Sequence, residues 1–257
     1  MTRHTRDYGA LGRIGMAVPQ ANPTVEPEMR ALLPERTSLL SCRLTSKKTQ
    51  PKERYLEYFN NLKNTLETYD TLQLDICGFA CTASTYLIGR ANEDRALEKL
   101  SEEIGYPVIS AGLSIERALK YLGIKKLSIG APYPQWSVDM SREYWMTRGF
   151  TITDTKRIAI QSDDTRAIYE LKGMHAIKTL ENIDIEKSDA LLLTGTGMPS
   201  LEAILTLMEK SGKPVLSSNL CLAWDIIQSL GIDQNLPIEA PKSHPLLNGW
   251  QSKIKDM

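Results

Sequence analysis

Four short segments of the chain set chemically able side chains beside small residues that leave room for a ligand. G-F-A-C-T-A-S-T (78–85) ends an apolar run on Cys81 and opens a stretch able to form a helix. A thiol at that junction would sit at a helix N-terminus, where the macrodipole and unpaired N–H groups favour the nucleophilic thiolate. The competing reading is a buried core cysteine, the commoner fate of this residue. Cys42, Cys77 and Cys221 lie within apolar runs and fit that second reading.

V-P-Q-A-N-P-T-V-E-P-E-M (18–29) places Asn22 after an apolar run and Thr24 where it can cap a helix whose first turn holds Glu26 and Glu28. The Asn22 amide either donates to a substrate carboxylate or serves the Asn-Pro turn. S-I-G-A-P-Y-P-Q-W (128–136) presents Tyr133, a phenol able to hydrogen-bond a carboxylate or enolate oxygen, or else a packed lid between two prolines. T-G-T-G-M-P-S (194–200) carries Gly195 and Gly197, which let backbone N–H groups point at an anion, with Thr194, Thr196 and Ser200 beside them. It is not a dinucleotide fingerprint, because the third glycine position is Ser200, and the chain contains no Walker pattern. No cofactor is expected.

These segments need a scaffold that brings them together. Apolar, β-branched runs recur at 13–19, 37–45, 72–80, 106–110, 125–132, 150–160, 189–195 and 213–218. Between them E-R-Y-L-E-Y-F-N-N-L-K-N-T-L-E-T-Y, S-I-E-R-A-L-K-Y-L-G, Q-W-S-V-D-M-S-R-E-Y-W-M-T-R-G and P-S-L-E-A-I-L-T-L-M-E-K-S-G carry apolar residues at helical spacing. Alternation of this kind predicts an α/β fold with parallel sheets covered by helices. G-Y-P-V-I-S-A-G-L-S-I-E-R-A-L-K-Y-L-G (105–123) also resembles G-K-P-V-L-S-S-N-L-C-L-A-W-D-I-I-Q-S-L-G (212–231) with one gap. The chain therefore reads as one enzyme unit of two similar open parallel-sheet halves, roughly 12–118 plus 219–257 and 119–218, with a site in the crevice at the carboxyl ends of the strands. The tail after Ile232, with Pro237, Pro241 and Pro245, reads as a closing strap.

Bulk properties narrow the partners. Among 257 residues, Lys plus Arg and Asp plus Glu are equal at 31 each, so no basic field points to nucleic acid or an anionic membrane. The apolar runs are too short for a bilayer span, which takes about 20 residues, and the polar N-terminus has no apolar signal core. A cytoplasmic protein acting on a small molecule is expected. Cys77 and Cys81 without a second Cys pair, and with only His4, His175 and His244 elsewhere, do not make a zinc site, so no metal is expected.

In order, P-x-x-N-P-T-V-E-x-E, G-F-A-C-T, A-P-Y, M-P-S-L-E-A-I and G-K-P-V-L-S-S-N resemble the aspartate/glutamate racemase superfamily, specifically its branch of maleate cis-trans isomerases and arylmalonate decarboxylases, from about Arg13 to Ile232. The resemblance implies two pseudo-symmetric Rossmann-like halves, cofactor-independent chemistry on a small carboxylate or dicarboxylate, and a homodimer or higher homo-oligomer. It also implies two cysteine-bearing loops on opposite faces of the substrate. Cys81 matches the first; the second position falls on Gly195, so the second thiol is missing. Two-base racemisation, which needs acid and base on opposite faces, is thereby disfavoured. The resemblance further assigns substrate binding to Asn22, Thr82 and Tyr133, to Gly195, Thr196 and Gly197, and to Asp163, which falls near an isomerase asparagine although its charge would repel a carboxylate.

The leading expectation is an isomerase of a maleate-like diacid, in which the Cys81 thiolate adds to the double bond, the new single bond rotates, and elimination releases the trans acid. The first alternative is an arylmalonate-type decarboxylase with Cys81 as the proton donor. The second is a non-catalytic carboxylate-binding protein.

Overall fold

The computed structural model describes residues 6–232 and 244–256. Eight parallel strands form two four-stranded sheets of identical topology. The first holds β1 (Gly12–Pro19), β2 (Thr37–Leu44), β3 (Ile76–Phe79) and β4 (Val108–Ser110) in the order β2-β1-β3-β4. The second holds β5 (Lys126–Ala131), β6 (Thr151–Arg157), β7 (Ala190–Leu193) and β8 (Val215–Ser217) in the order β6-β5-β7-β8. The α/β expectation of two similar parallel-sheet halves matches this arrangement. Each strand run in the sequence contains one strand, shorter than the run wherever polar or turn residues flank it.

Burial follows position in the sheet. The central strands β3 and β7 are buried throughout, whereas β2 and β6 at the outer edges are partly exposed and carry the polar residues. Registers such as Ile14↔Ile76 and Ala17↔Phe79 put apolar side chains at the same level across the first sheet. The second sheet has an irregularity between Leu127 and Ser128 in the pairing of β5 with β6.

Helices α1 (Val25–Leu32), α2 (Pro51–Asn60), α3 (Leu62–Leu66), α4 (Thr82–Ile88), α5 (Arg90–Ile104) and α6 (Ala111–Tyr121) belong to the first sheet's connections. Helices α7 (Gln135–Thr147), α8 (Gly173–Leu180), α9 (Leu201–Ser211) and α10 (Ser218–Ser229) follow the strands of the second. The long helical stretch expected over 53–69 is broken at Asn61, whose backbone (φ −94°, ψ 10°) leaves the helix so that Leu62 and Leu66 can turn into the core. The duplicated β4–α6 and β8–α10 segments are true structural counterparts. Ser110 Oγ accepts from Leu113 N and Ser217 Oγ from Leu220 N, each capping its helix.

Helix α10 packs on α6 and α1, and the two sheets' helices meet where α4 packs on α7. On that seam Arg148, at the C-cap of α7, joins buried Glu93 (2.7 Å) and Glu116 and the more exposed Asp94 (3.0 Å) of the first half. Of the proline-rich tail, Pro237 and Pro241 lie outside the described residues. Beyond them His244, Leu246, Leu247 and Trp250 are buried, and the His244 ring lies 2.8 Å from Val215 O of β8. No helix among the described residues is long and apolar enough to cross a membrane.

Candidate active site

The strand order fixes where a ligand can bind. In each sheet the chain turns outward in opposite directions from the two central strands, β1 and β3 in one and β5 and β7 in the other, which opens a crevice beyond their carboxyl ends. The four segments singled out in the sequence are the loops that leave these four strands, so Asn22, Cys81, Tyr133 and Gly195 belong to one crevice for a topological reason.

Cys81 occupies the N-cap position of α4 in extended backbone (φ −145°, ψ 91°) and is 4% exposed. Ser84 Oγ lies 3.1 Å from its sulfur and 2.8 Å from Tyr55 O. Burial pushes the thiol up. Hydrogen bonds from Ser84 and from the backbone N–H groups of Ser84 and Ala83, with the field of Arg54, pull it partly back. The helix N-terminus thus acts in the expected direction, but desolvation outweighs it in the closed site, and the group rests as a thiol.

The partner loop touches the Cys81 loop directly. Thr196 Oγ1 donates to Ala80 O at 2.7 Å and accepts from Asn22 Nδ2 at 3.2 Å, so residues from both halves are tied beside Cys81. Asn22 has a second task that the sequence assigned to Thr24. Its Oδ1 accepts from Thr24 N (2.9 Å) and Val25 N (3.3 Å), while the Thr24 hydroxyl turns away to Gly197 O at 2.8 Å. Thr24 holds the N-cap position of α1, but the side-chain oxygen at that helix start is supplied by Asn22, and one Nδ2 hydrogen remains for a ligand after Thr196 is served. Glu28 likewise does more than sit in a first turn. It accepts from Ser200 N, Ser200 Oγ and Asn219 Nδ2 (2.7 Å), so it fastens α1 to the N-termini of α9 and α10; burial raises its pKa.

Tyr133 is buried, with its hydroxyl 3.3 Å from Thr82 Oγ1. Gly195 has φ +91°, and a Cβ built on it would lie 2.7 Å from Tyr133 Oη and 3.2 Å from Ile168 Cδ1. A Cβ on Gly197 would lie 2.6 Å from the Tyr169 ring. These two glycines therefore let two tyrosines approach the backbone of the loop. Among the described residues, the N–H groups of Gly195, Thr196 and Gly197 have no backbone acceptor, as an anion-binding loop requires.

Seven of the eight residues expected at the site are buried in this crevice: Asn22, Cys81, Thr82, Tyr133, Gly195, Thr196 and Gly197. Asp163 is not among them. Its side chain is exposed, and the inward contact belongs to Asp164, which receives Arg54 Nη2 at 3.1 Å and caps the short 3-10 helix Thr165–Glu170. Arg54 also reaches Thr165 Oγ1 at 3.0 Å. The charge conflict foreseen for an acid in the site is resolved by this displacement.

The sequence reading missed four groups around Cys81. Arg54 is 1% exposed, and its field reaches the sulfur. The hydroxyls of Tyr55, Tyr58 and Tyr169 all sense a thiolate at Cys81. Arg54, Tyr55 and Tyr58 lie on α2, where helical spacing alone marks them, and only the packing of α2 on α4 brings them to the sulfur. Tyr169 also lines a cleft of about 460 Å³ beside the site, together with Pro23, Thr24, Glu28, Pro199 and Ser200.

An arrangement of one buried thiol, one buried guanidinium, several hydroxyls and a glycine-rich donor loop fits nucleophilic or acid chemistry on a small anion. Known proteins resemble this one along the whole chain. The chain is 29% identical over 251 residues to a maleate isomerase of Geobacillus stearothermophilus, covering 92% of this chain and 97% of that protein. A maleate cis-trans isomerase of Nocardia farcinica, a cysteine-to-serine mutant with a covalently bound succinylcysteine intermediate, superposes with TM-score 0.80 at 25% identity, covering 88% of this chain and 95% of that one. Arylmalonate decarboxylase shares the fold at TM-score 0.72 and 17% identity, covering 94% and 99% of the two chains. The family model described as arylmalonate decarboxylase matches residues 14–240, which includes every loop of the crevice. With both sheets, all four site loops and the duplicated capping segments accounted for in that match, the chain belongs to the arylmalonate decarboxylase family.

Proposed function

We propose that the protein is a cofactor-independent isomerase that converts a maleate-like cis dicarboxylate to its trans isomer through covalent addition of Cys81. One observation carries the reading. Among the described residues, the only cysteine in the crevice stands at the carboxyl end of β3, at the N-cap of α4, and a succinylcysteine intermediate is bound in a maleate isomerase of the same fold. Substrate carboxylates supply the charge that the site is built to meet: the free Nδ2 hydrogen of Asn22, the Thr82 hydroxyl and the N–H groups of 195–197 are all donors. Arg54 stabilises the thiolate once it forms. Addition gives a C2–C3 single bond free to rotate, and expulsion of the thiolate completes the cycle with no external reactant.

The decarboxylase reading has an observation of its own. Burial holds Cys81 as a protonated thiol, the form needed to quench a carbanion after loss of carbon dioxide. Proton magnetic resonance of the purified protein mixed with maleate, and separately with phenylmalonate, distinguishes the two. Fumarate from the first mixture, absent in Cys81→Ala, supports isomerisation. A monoacid from the second supports decarboxylation, and turnover of neither rejects both.

A further inference from the structure

We infer that Tyr133 takes the place of the missing second thiol and is the proton-transferring group on the face of the substrate opposite Cys81. Cys81 and Gly195 are counterparts, each following the inner strand of its sheet and each followed by a threonine, Thr82 and Thr196. The atom nearest to where a Gly195 side chain would begin is Tyr133 Oη, at 2.7 Å. Beside the place where a second cysteine would begin, this chain presents a phenol, and Gly195 at positive φ leaves the backbone open to it.

The hydroxyl is held inside the site. Tyr133 is 4% exposed, and burial keeps it protonated at rest. It touches Thr82 Oγ1 at 3.3 Å. Behind Thr82, one helical turn along α4, the Tyr86 hydroxyl is surrounded by Ser141, Trp145 and Thr194. The hydroxyls of Thr82, Tyr86 and Thr194 thus form a run behind Tyr133 through which its proton can be restored.

The inference rests on the isomerase reading. Once the Cys81 thiol has lost its proton to solvent, the thiolate bonds to C2, and the π pair moves to C3 and is held as an enediolate by the adjoining carboxylate. The Tyr133 O–H bond breaks and a C3–H bond forms, which leaves a phenolate and a succinyl thioether. After rotation about C2–C3 the phenolate removes a hydrogen from C3, the pair re-forms the double bond, and the C2–S bond breaks to return the thiolate. Because acid and thiolate lie on opposite faces, loss of the proton just delivered regenerates the cis acid. Only loss of the hydrogen originally on C3 gives the trans acid.

Isomerisation of maleate in D2O therefore tests the assignment. Each fumarate formed by the wild-type protein is expected to carry one deuterium. Tyr133→Phe is expected to lower kcat by about 100-fold, the usual worth of a positioned acid, and to lose the label, with the rate of Cys81 alkylation by iodoacetamide and its protection by maleate retained as evidence of an intact site. Unlabelled fumarate from the wild-type protein overturns the inference while leaving the isomerase reading in place. So does a Tyr133→Phe protein that raises KM but keeps kcat. Absence of fumarate from the wild-type protein rejects the isomerase reading and this inference with it.

Discussion

Replacing Gly195 with alanine measures how firmly the structure excludes a second side chain at this position. Two independent terms oppose the new methyl group. The backbone at φ +91° lies in the region that L-residues avoid, at about 1–2 kcal/mol. The new Cβ would also meet Tyr133 Oη at 2.7 Å, inside van der Waals contact, with Tyr133 Cζ and Ile168 Cδ1 both at 3.2 Å. Overpacking of this kind costs about 1–3 kcal/mol. Gly195→Ala is therefore expected to lose about 2–5 kcal/mol in urea unfolding followed by circular dichroism. A double-mutant cycle separates the terms, because Tyr133→Phe removes the hydroxyl and leaves 3.2 Å as the closest approach, whereas the backbone term stays. The coupling between the two substitutions is expected to be about 1–3 kcal/mol, in the direction that Tyr133→Phe makes Gly195→Ala less costly. A Gly195→Ala protein within about 0.5 kcal/mol of the parent, the size of an ordinary surface change, would refute the steric argument. So would a cycle with no coupling.

Three further outcomes follow from buried groups. Arg148→Met strips the partner from fully buried Glu93 and is expected to destabilise by about 3–5 kcal/mol, with part of the loss recovered by adding Glu93→Gln; chemical denaturation of both variants checks this. Arg54→Met removes the cation that favours a Cys81 thiolate, so the pH midpoint of iodoacetamide alkylation moves upward, and an unchanged midpoint rejects the role given to Arg54. Burial depresses the His244 pKa from 6.5 to about 4, so the unfolded chain takes up the proton first. Its contribution is complete above pH 6.5 and is lost as pH falls toward 4, by about 3 kcal/mol; urea midpoints across that range should flatten in His244→Asn.

The elements and the chemistry available to them are legible in the residues alone. The β-branched runs and helical spacing specify parallel strands with helical crossovers, because the periodicity of burial is a local property. The repeated G-x-P-V-x-S segments reveal the doubling, since Ser110 and Ser217 cap their helices through contacts only three residues long. Cys81, Asn22, Tyr133 and Gly195 were legible because a strand end followed by small or polar residues marks a crevice loop in an α/β fold.

Only the tertiary structure decided how those residues are used. That the N-cap residue Thr24 leaves the start of α1 to the Asn22 side chain follows from Gly197, 173 residues away, whose carbonyl captures the threonine hydroxyl. Asp164 rather than Asp163 faces inward because Arg54, 110 residues away, is buried there. Arg54, Tyr55 and Tyr58 carry no local mark of function and reach the thiol through the packing of α2 on α4. The state of Cys81 depends on a balance between helix-terminal N–H groups, which the sequence foretells, and desolvation, which it does not, because burial is a property of the whole assembly of chain around one atom. Gly195 shows the same division: the residue types reveal a glycine where a thiol is expected, and the fold reveals that the Tyr133 hydroxyl packs against it, 2.7 Å from where a Cβ would stand.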